Sequence, residues 1–325
     1  MLSSEVLILL CLCGLSLSHQ MEWSYDYETQ WPGVCNSGFQ QSPINIMTRD
    51  AVLDIHGSHI RGPLVFRGYG NVAVSAINNG HTLKWNVVEN STAPVLSGGP
   101  LRGNYTLLQF HLHWLSEHAI DGMKYPLEIH MVHVKTGLTL DEALERPDGL
   151  AVIGVITKVV GGYEEASSFA LEEIMPVVPD LLDQNVESSE ILNIDMNRLF
   201  SPEPQSFYTY HGSLTTPLCQ EVVTWIIMDK PLTISDTQYK VFSKVNVGGI
   251  DNYRSLQRSN RVVYRSVASC SYALSPSILG VLVTVFRCLA SKVTQQIHKG
   301  ICYIGNAKRK IFGNTLIECS KVHIS

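Results

Sequence analysis

Short apolar runs with a period of two residues dominate the chain between residues 60 and 265. Gly, Pro and Asn separate these runs, as expected where one strand turns into the next. Helical periodicity is brief, in Ser168–Ile174, around Pro179–Leu182 and in Ser235–Phe242, where Ser235 can serve as the N-cap. The clearest strand-like runs are Val72–Ile77, Tyr105–Trp114, Leu127–Val134, Leu150–Thr157, Glu221–Met228 and Arg261–Tyr264. The pattern predicts a mainly β (α+β) fold, with one domain around a large, mostly antiparallel, twisted central sheet of about ten strands and short peripheral helices.

Charge divides the chain near residue 266. Residues 19–266 contain 17 Lys and Arg against 27 Asp and Glu, whereas residues 267–325 contain 7 against 1. The formal net charge of the whole chain is −5, which gives no sign of a nucleic-acid partner. We therefore expect one domain over residues 19–266 and a differently built C-terminal segment over residues 267–325.

The first 18 residues have the features of a secretory signal peptide. The apolar stretch Val6–Leu17 is short for a membrane span, and Ser16 and Ser18 occupy the −3 and −1 positions of a small-residue cleavage site. We expect the signal peptide to be residues 1–18, and the protein to be secreted or to stand at the extracellular face of the plasma membrane.

Cysteines and sequons agree with that compartment. Cys35 and Cys219 are the two cysteines of residues 19–266, and a lone pair in a secreted domain is most simply a disulfide. Two free buried thiols are the alternative. Sequons at Asn90 and Asn104 fit N-glycosylation of surface loops.

The C-terminal segment allows three interpretations. Residues 267–290 contain small residues followed by the apolar run Ser277–Phe286, as in a glycolipid-anchor signal, although about 40 further residues follow that run. A membrane-spanning segment with the basic Lys308–Lys310 inside is the second interpretation. An inaccurate gene model is the third. The sequence leaves all three open.

Three histidines lie in two short segments, Gln109–Trp114 and Glu128–His130. Side chains alternate along a strand, so His111 and His113 point to the same face, and a neighbouring strand can supply His130. Three protein nitrogens leave one tetrahedral position for water, which is typical of a catalytic zinc site. For an isolated His-x-His pair, two partly exposed strand histidines are the alternative.

Two polar residues precede these histidines by the same offset. Gln109 stands two residues before His111, and Glu128 two residues before His130, on the same face of each strand. Each can accept a hydrogen bond from the ring nitrogen that does not bind the metal. Ordinary buried polar pairs are the alternative interpretation.

Six further segments surround the histidines in a characteristic order. They are Gln40–Ile46, Asn78–His81, Ser116–His118, Gly212–Pro217, Val223–Trp225 and Asp251–Arg254. Together with the histidines, they closely resemble the alpha-class carbonic anhydrases over residues 21–266, and Cys35 with Cys219 resembles the secreted or membrane-anchored branch. The resemblance implies a Zn²⁺ cofactor and reversible hydration of carbon dioxide to bicarbonate and a proton by zinc-bound hydroxide, for pH or ion balance outside cells.

The resemblance also implies roles for individual residues. The Thr215 hydroxyl is implied to accept a hydrogen bond from the zinc-bound hydroxide and to donate one to Glu117, and His113 is implied to bond a backbone carbonyl near Asn252. The amide of Thr215 and the side chain of Thr216 orient bicarbonate. The apolar wall for carbon dioxide is implied to be Val132, Val152, Leu214, Val223 and Trp225.

Proton transfer to buffer is implied to use His81, which follows an Asn-Asn-Gly turn. Without the resemblance, a solvated turn histidine is the alternative. Tyr25 and Asn79 match the residues that order the connecting waters. The histidines with implied structural roles are His118, expected to bond Tyr210, and His133.

The chain departs from the family pattern at three places. Two residues separate Trp114 from Glu117, where the family has several more, so the position of Glu117 is uncertain from sequence. Leu218 follows Pro217 in place of a second proline, and we expect a trans bond there because a non-proline cis peptide costs about 2.5–4 kcal/mol. Lys84 occupies a cavity-lining position that is often neutral and polar.

Two other functions compete with the enzyme. A catalytically silent domain of the same family would bind a protein partner, but such relatives lose one or more zinc histidines, and His111, His113 and His130 are all present. A zinc hydrolase acting on esters is the other alternative, disfavoured by the small apolar wall. Oligomeric state does not follow from the sequence.

Overall fold

A computed structural model of the chain describes residues 23–54, 61–89, 91–160, 169–200 and 204–266. The predicted signal peptide, the C-terminal segment and the Asn90 sequon lie outside these residues. The strands are β1 (Asn45–Ile46), β2 (Val52–Leu53), β3 (Val65–Arg67), β4 (Val72–Asn78), β5 (Leu83–Val87), β6 (Val95–Ser97), β7 (Tyr105–Trp114), β8 (Ala119–Ile120), β9 (Leu127–Lys135), β10 (Leu150–Val160), β11 (Val186–Ile194), β12 (Phe207–Gly212), β13 (Val223–Met228), β14 (Leu232–Ser235) and β15 (Tyr264–Ser266).

The helices of the described residues are short and peripheral, as predicted. Thr139 and Ser235 each accept a hydrogen bond from the backbone N–H three residues later, closing a capping box at the start of a helix. The α-helices are α1 (Leu140–Leu144), α2 (Phe169–Ile174) and α3 (Asp236–Phe242). The 3₁₀-helical segments are Tyr25–Gln30, Met175–Leu181 and Met196–Leu199.

One large sheet organises the described residues. Its strands follow the order β11-β4-β5-β7-β9-β10-β13-β12-β15-β2, with β14 paired to β10 and β6 joining β3 to β7, giving 13 strands. Most neighbouring strands are antiparallel. The parallel pairs are β10 with β13, β10 with β14, and β15 with β2. The mainly β prediction is therefore confirmed, and the sheet is mixed and larger than the predicted ten strands.

The two faces of the central strands pack against different groups of residues. Alternate side chains of β5, β7, β9 and β10 enter the larger apolar core, where the rings of Trp85 and Phe110 stack at 5.1 Å beside Met131. The intervening positions carry His111 and His130 and, further along the sheet, a second apolar cluster. A rigid central sheet thus supports both faces, and the histidine face is the candidate site.

Some elements differ from the sequence pattern. β5 alternates apolar and polar residues, with Lys84 and Asn86 between the buried Leu83 and Trp85 and the partly buried Val87, as a half-buried strand does, although it is not among the clearest runs of the sequence. β11 is half exposed and rich in Glu and Ser, so apolar periodicity does not reveal it. β15 begins at Tyr264, where the predicted run ends. Among the described residues no helix is long and apolar enough to cross a membrane.

Candidate metal centre

The three histidines meet at the centre of the sheet because β7 and β9 are antiparallel neighbours. His111 stands directly opposite His130 in the register, and His113 stands opposite Glu128. His113 and His130 are buried, whereas His111 is partly exposed. One nitrogen from each ring lies within 4.8 Å of the other two. Three imidazoles therefore converge on one point that is open on the His111 side.

The second nitrogen of each ring is fixed by a hydrogen bond. His111 Nδ1 donates to Gln109 Oε1 at 2.9 Å, and His113 Nδ1 donates to the carbonyl oxygen of Asn252 at 2.5 Å. His130 is bonded through Nε2, which lies 2.8 Å from Oε1 of Glu128.

These bonds leave Nε2 of His111, Nε2 of His113 and Nδ1 of His130 facing one another. Nε2 of His113 is buried without a hydrogen-bond partner among the described residues, as a ligand nitrogen in a metal site would be. Burial lowers the pKa of His113, and burial together with His113 and His130 lowers that of His111 well below its ordinary value. Neutral imidazole is the form that binds a metal, so the donor set fits Zn²⁺.

Glu128 connects the metal site to a buried hydrogen-bonded chain. Its Oε1 also accepts from His118 Nδ1 at 2.7 Å, and its Oε2 accepts from the His118 backbone N–H at 2.8 Å. His118 Nε2 and the Tyr210 hydroxyl are 2.6 Å apart, which confirms the predicted contact. Burial would raise the pKa of Glu128, but His118 and His130 lower it well below its usual range. Because these groups are already hydrogen-bonded to one another, they orient His130 rather than form a second metal site.

Gly154 makes room for this arrangement. It stands opposite His130 in the pairing of β9 and β10. A Cβ atom at this position would lie 2.9 Å from Glu128 Oε1 and 2.7 Å from Cδ1 of Ile227. Sequence analysis missed Gly154, although a glycine inside an apolar strand signals a close approach of this kind.

Glu117 reaches the metal site despite the short connection after Trp114. Leu115 takes a left-handed conformation (φ 70°), and the N–H groups of Leu115 and Ser116 donate to backbone oxygens of residues 126 and 125. Glu117 Oε1 accepts the backbone N–H of Arg254 at 2.7 Å. The structure thus settles the position that the sequence left uncertain.

The second carboxylate oxygen of Glu117 points at the metal ligands. Oε2 is buried without a hydrogen-bond partner in the described part of the chain, 3.6 Å from His113 Nε2 and 3.8 Å from His130 Nδ1. Thr215 is also buried, but the hydrogen bond to Glu117 that the resemblance implies is not formed.

The predicted apolar wall lies on the same face as the histidines. Val132 and Val152 are direct partners across β9 and β10, and Val152 is paired with Trp225 on β13. The ring centroid of Trp225 is 4.8 Å from that of His130. Val223 belongs to this cluster, and Leu214 packs against it. Thr216 is partly exposed in the loop between β12 and β13.

His81 is partly buried in the turn between β4 and β5. Its ring stacks on Trp23 with centroids 3.8 Å apart, a contact that sequence analysis missed. Asn79 Oδ1 accepts the backbone N–H groups of His81 and Thr82, so this side chain shapes the turn. Tyr25 is buried beside Trp23; burial, then the charge of Glu117, raises its pKa well above the ordinary value.

The predicted disulfide joins Cys35 to Cys219. The expectation of a trans bond after Pro217 is wrong, because the Pro217–Leu218 peptide is cis. Contacts on both sides fix this backbone: Leu218 O accepts the N–H of Val34 at 3.1 Å, and the N–H of Cys219 donates to Thr216 O at 2.9 Å. Residue type alone therefore did not decide the geometry.

Arg254 joins several of these segments, a role that its place in the sequence motif did not reveal. Its buried guanidinium donates to Gln41 Oε1 and to the backbone oxygens of Ser42 and Cys35, at 2.8–2.9 Å. Asn104 of the second sequon is exposed immediately before β7. His133 is buried and bonded to Tyr69, as a structural histidine would be.

Comparison with known proteins gives consistent matches. The family model described as eukaryotic-type carbonic anhydrase matches residues 18–267. A Caenorhabditis elegans protein named "Putative carbonic anhydrase 5" is 35% identical over 279 residues, covering 80% of this chain and 86% of the relative. Carbonic anhydrase 3 of Rattus norvegicus is 36% identical, covering 62% and 76%, and carbonic anhydrase 7 of Mus musculus is 34% identical, covering 68% and 85%.

Proposed function

Because the chain belongs to the eukaryotic-type, alpha-class carbonic anhydrase family, as its motifs predicted, we propose that it catalyses the reversible hydration of carbon dioxide through a zinc-activated water. The family is zinc-dependent, and the histidine triad is positioned to bind a metal ion. The convergence of the three imidazoles is the observation that carries the proposal.

His111, His113 and His130 would hold the ion. When bound, zinc supplies the Lewis acidity that makes water a hydroxide nucleophile near neutral pH. Three neutral ligands leave the full charge of the ion in place, while the bonds to Gln109 and Glu128 keep two of the rings oriented.

The proposed role of Glu117 is to orient the attacking oxygen through Thr215. Glu117 Oε1 is already engaged by the N–H of Arg254, so Oε2 is the oxygen available to accept the Thr215 hydroxyl. With that hydroxyl donating to Glu117, its oxygen must accept from the nucleophile, which directs a lone pair toward the substrate. This proposal requires the Thr215–Glu117 hydrogen bond to form in the working enzyme.

The wall of Val132, Val152 and Trp225 suits an uncharged substrate. Apolar side chains beside His130 offer carbon dioxide a place without a hydrogen-bonding requirement and keep solvent water out of that place. The same small wall disfavours larger ester substrates. The backbone amide of Thr215 and the side chain of Thr216 are proposed to orient the bicarbonate product.

His81 is proposed to accept the proton that each hydration releases. Burial lowers its pKa below the ordinary 6.5, so the neutral, proton-accepting ring prevails at physiological pH. Stacking on Trp23 holds the ring in one position. Tyr25 and Asn79 are proposed to help order the water molecules between His81 and the metal.

We also propose that the domain works outside cells, either secreted or at the plasma membrane. The signal-like N-terminus and the Cys35–Cys219 disulfide support this, because disulfides persist in oxidising compartments. Glycosylation at Asn104 is proposed on the same grounds, since Asn104 is exposed.

Stopped-flow measurement of carbon dioxide hydration tests the proposal. The purified, zinc-loaded full chain should exceed the uncatalysed rate by orders of magnitude, whereas His130→Ala should not. A zinc-loaded wild-type protein no faster than His130→Ala would overturn the enzyme and favour a silent domain that binds a partner.

A further inference from the structure

A straight row of side chains crosses the sheet and ends at the metal site. In the register, Glu187 of β11 pairs with Ile77 of β4, and Ile77 with Lys84 of β5. Lys84 in turn pairs with His111, and His111 with His130. Directly paired residues project from the same face of a sheet, with Cβ atoms about 4.5–5.5 Å apart. Lys84 therefore shares the histidine face and is the immediate neighbour of His111.

The environment of Lys84 leaves its charge available. The side chain is half-buried, and its ammonium group forms no hydrogen bond or ion pair with any part of the chain that the structure describes. Burial lowers its pKa, while the charge of Glu187, two strands away, acts in the opposite direction. Lys84 and His111 are direct partners across β5 and β7, so the cation stands on the side of the site where His111 is partly exposed.

Two other cations near the centre are engaged. The Arg254 guanidinium donates to Gln41 Oε1 and to two backbone oxygens. The Lys124 ammonium lies 3.9 Å from the centroid of the Tyr253 ring and is attracted by the charges of Glu117 and Glu128. Both of these buried carboxylates are close to other histidines of the site: Glu117 to His113 and His130, and Glu128 to His130. Lys84 is thus the uncommitted cation beside the partly exposed ligand His111.

We propose that Lys84 is a specificity-determining residue that increases the affinity of the metal site for anions, bicarbonate among them, without affecting the entry of carbon dioxide. A cation near the metal attracts an incoming anion, whereas carbon dioxide adds no charge to the site. The inference rests on the proposed function, because it assumes a metal held by the three histidines.

Thiocyanate binding to the Co²⁺-substituted full chain tests the inference without measuring turnover. The visible spectrum of Co²⁺ reports occupation of the open position. Because Lys84 is partly solvated, we expect Lys84→Gln to weaken thiocyanate about threefold to tenfold. Lys84→Arg should keep the wild-type affinity, and the difference between Lys84→Gln and wild type should shrink in concentrated salt.

A matched control separates the local effect from net charge. Lys240 is exposed on α3 and paired with Asp236, so Lys240→Gln removes one charge at a position that is not part of the histidine face and should leave thiocyanate binding unchanged. Kinetics provide a second readout. In Lys84→Gln, the limiting kcat/KM for bicarbonate at acid pH should fall by the same factor as the affinity for thiocyanate. The limiting kcat/KM for carbon dioxide at alkaline pH should not change.

The outcomes distinguish the inference from the proposed function. Equal thiocyanate affinity in wild type and Lys84→Gln overturns the role of Lys84 while the enzyme stands. Equal losses in Lys84→Gln and Lys84→Arg would mean that the side chain acts by packing, which also overturns the inference. A wild-type protein that takes up no Co²⁺ and hydrates no carbon dioxide overturns the proposed function itself.

Discussion

The substitution Glu128→Gln probes how the buried hydrogen-bonded chain supports the metal ligand. Glu128 is fully buried and accepts three hydrogen bonds, two of them from the side chain and backbone of His118 and one from His130. An amide has one acceptor oxygen, so either orientation of Gln places its NH₂ group against a donor. The lost charge-assisted bond and the unpaired donor together cost about 1.5–3 kcal/mol of unfolding free energy in the zinc-free protein.

Zinc affinity should fall as well, because His130 loses the carboxylate that orients it. Removal of such a partner weakens metal binding about 10–100-fold, or about 1.4–2.8 kcal/mol. Competition with a chromophoric chelator measures the zinc affinity. Urea unfolding of the zinc-free protein measures the loss of unfolding free energy. Glu190→Gln, an equivalent change at an exposed position of β11, is the control. Zinc affinity within twofold of wild type in Glu128→Gln would refute the proposed coupling.

Three further predictions follow from the same structure. His81→Ala should lower kcat in dilute buffer, and added imidazole should restore it. Since burial lowers the pKa of His81, the wild-type kcat should rise with pH through an inflection below 6.5. If the same inflection persists in His81→Ala, another group carries the proton. Gly154→Ala should weaken zinc binding and lower the Tm, because the new Cβ displaces the Glu128 carboxylate. An unchanged zinc affinity in the chelator competition assay would contradict this. The Cys35–Cys219 disulfide joins two residues that are 184 positions apart in the sequence. Its reduction should lower the unfolding free energy by about 2–5 kcal/mol. Superimposable urea unfolding curves with and without reductant would show that the disulfide contributes nothing.

The metal ligands were predictable because strand geometry restricts them. A period of two places His111 and His113 on one face, and the observed β7 has the predicted bounds, Tyr105–Trp114. The offsets of Gln109 and Glu128 follow from the same period. What the pattern could not provide was the pairing of strands, which sets His130 opposite His111 and Gly154 opposite His130.

The parts of the site that depend on loops were less predictable. The path of the chain between Trp114 and Glu117 depends on a left-handed residue and on backbone partners near residue 125, neither of which the local sequence indicates. The cis bond after Pro217 likewise depends on contacts with a distant segment. Trp23 becomes the neighbour of His81 only through the tertiary fold. Such long-range contacts carry no periodic signal.

Titration of zinc into the metal-free protein, with carbon dioxide hydration followed at each addition, tests the central claim most directly. If His111, His113 and His130 form one open catalytic zinc site, hydration should rise linearly and reach its plateau at one zinc per chain, and His130→Ala should show no rise. A rate that is independent of zinc, or that stays at the uncatalysed level after one equivalent has bound, would contradict the account.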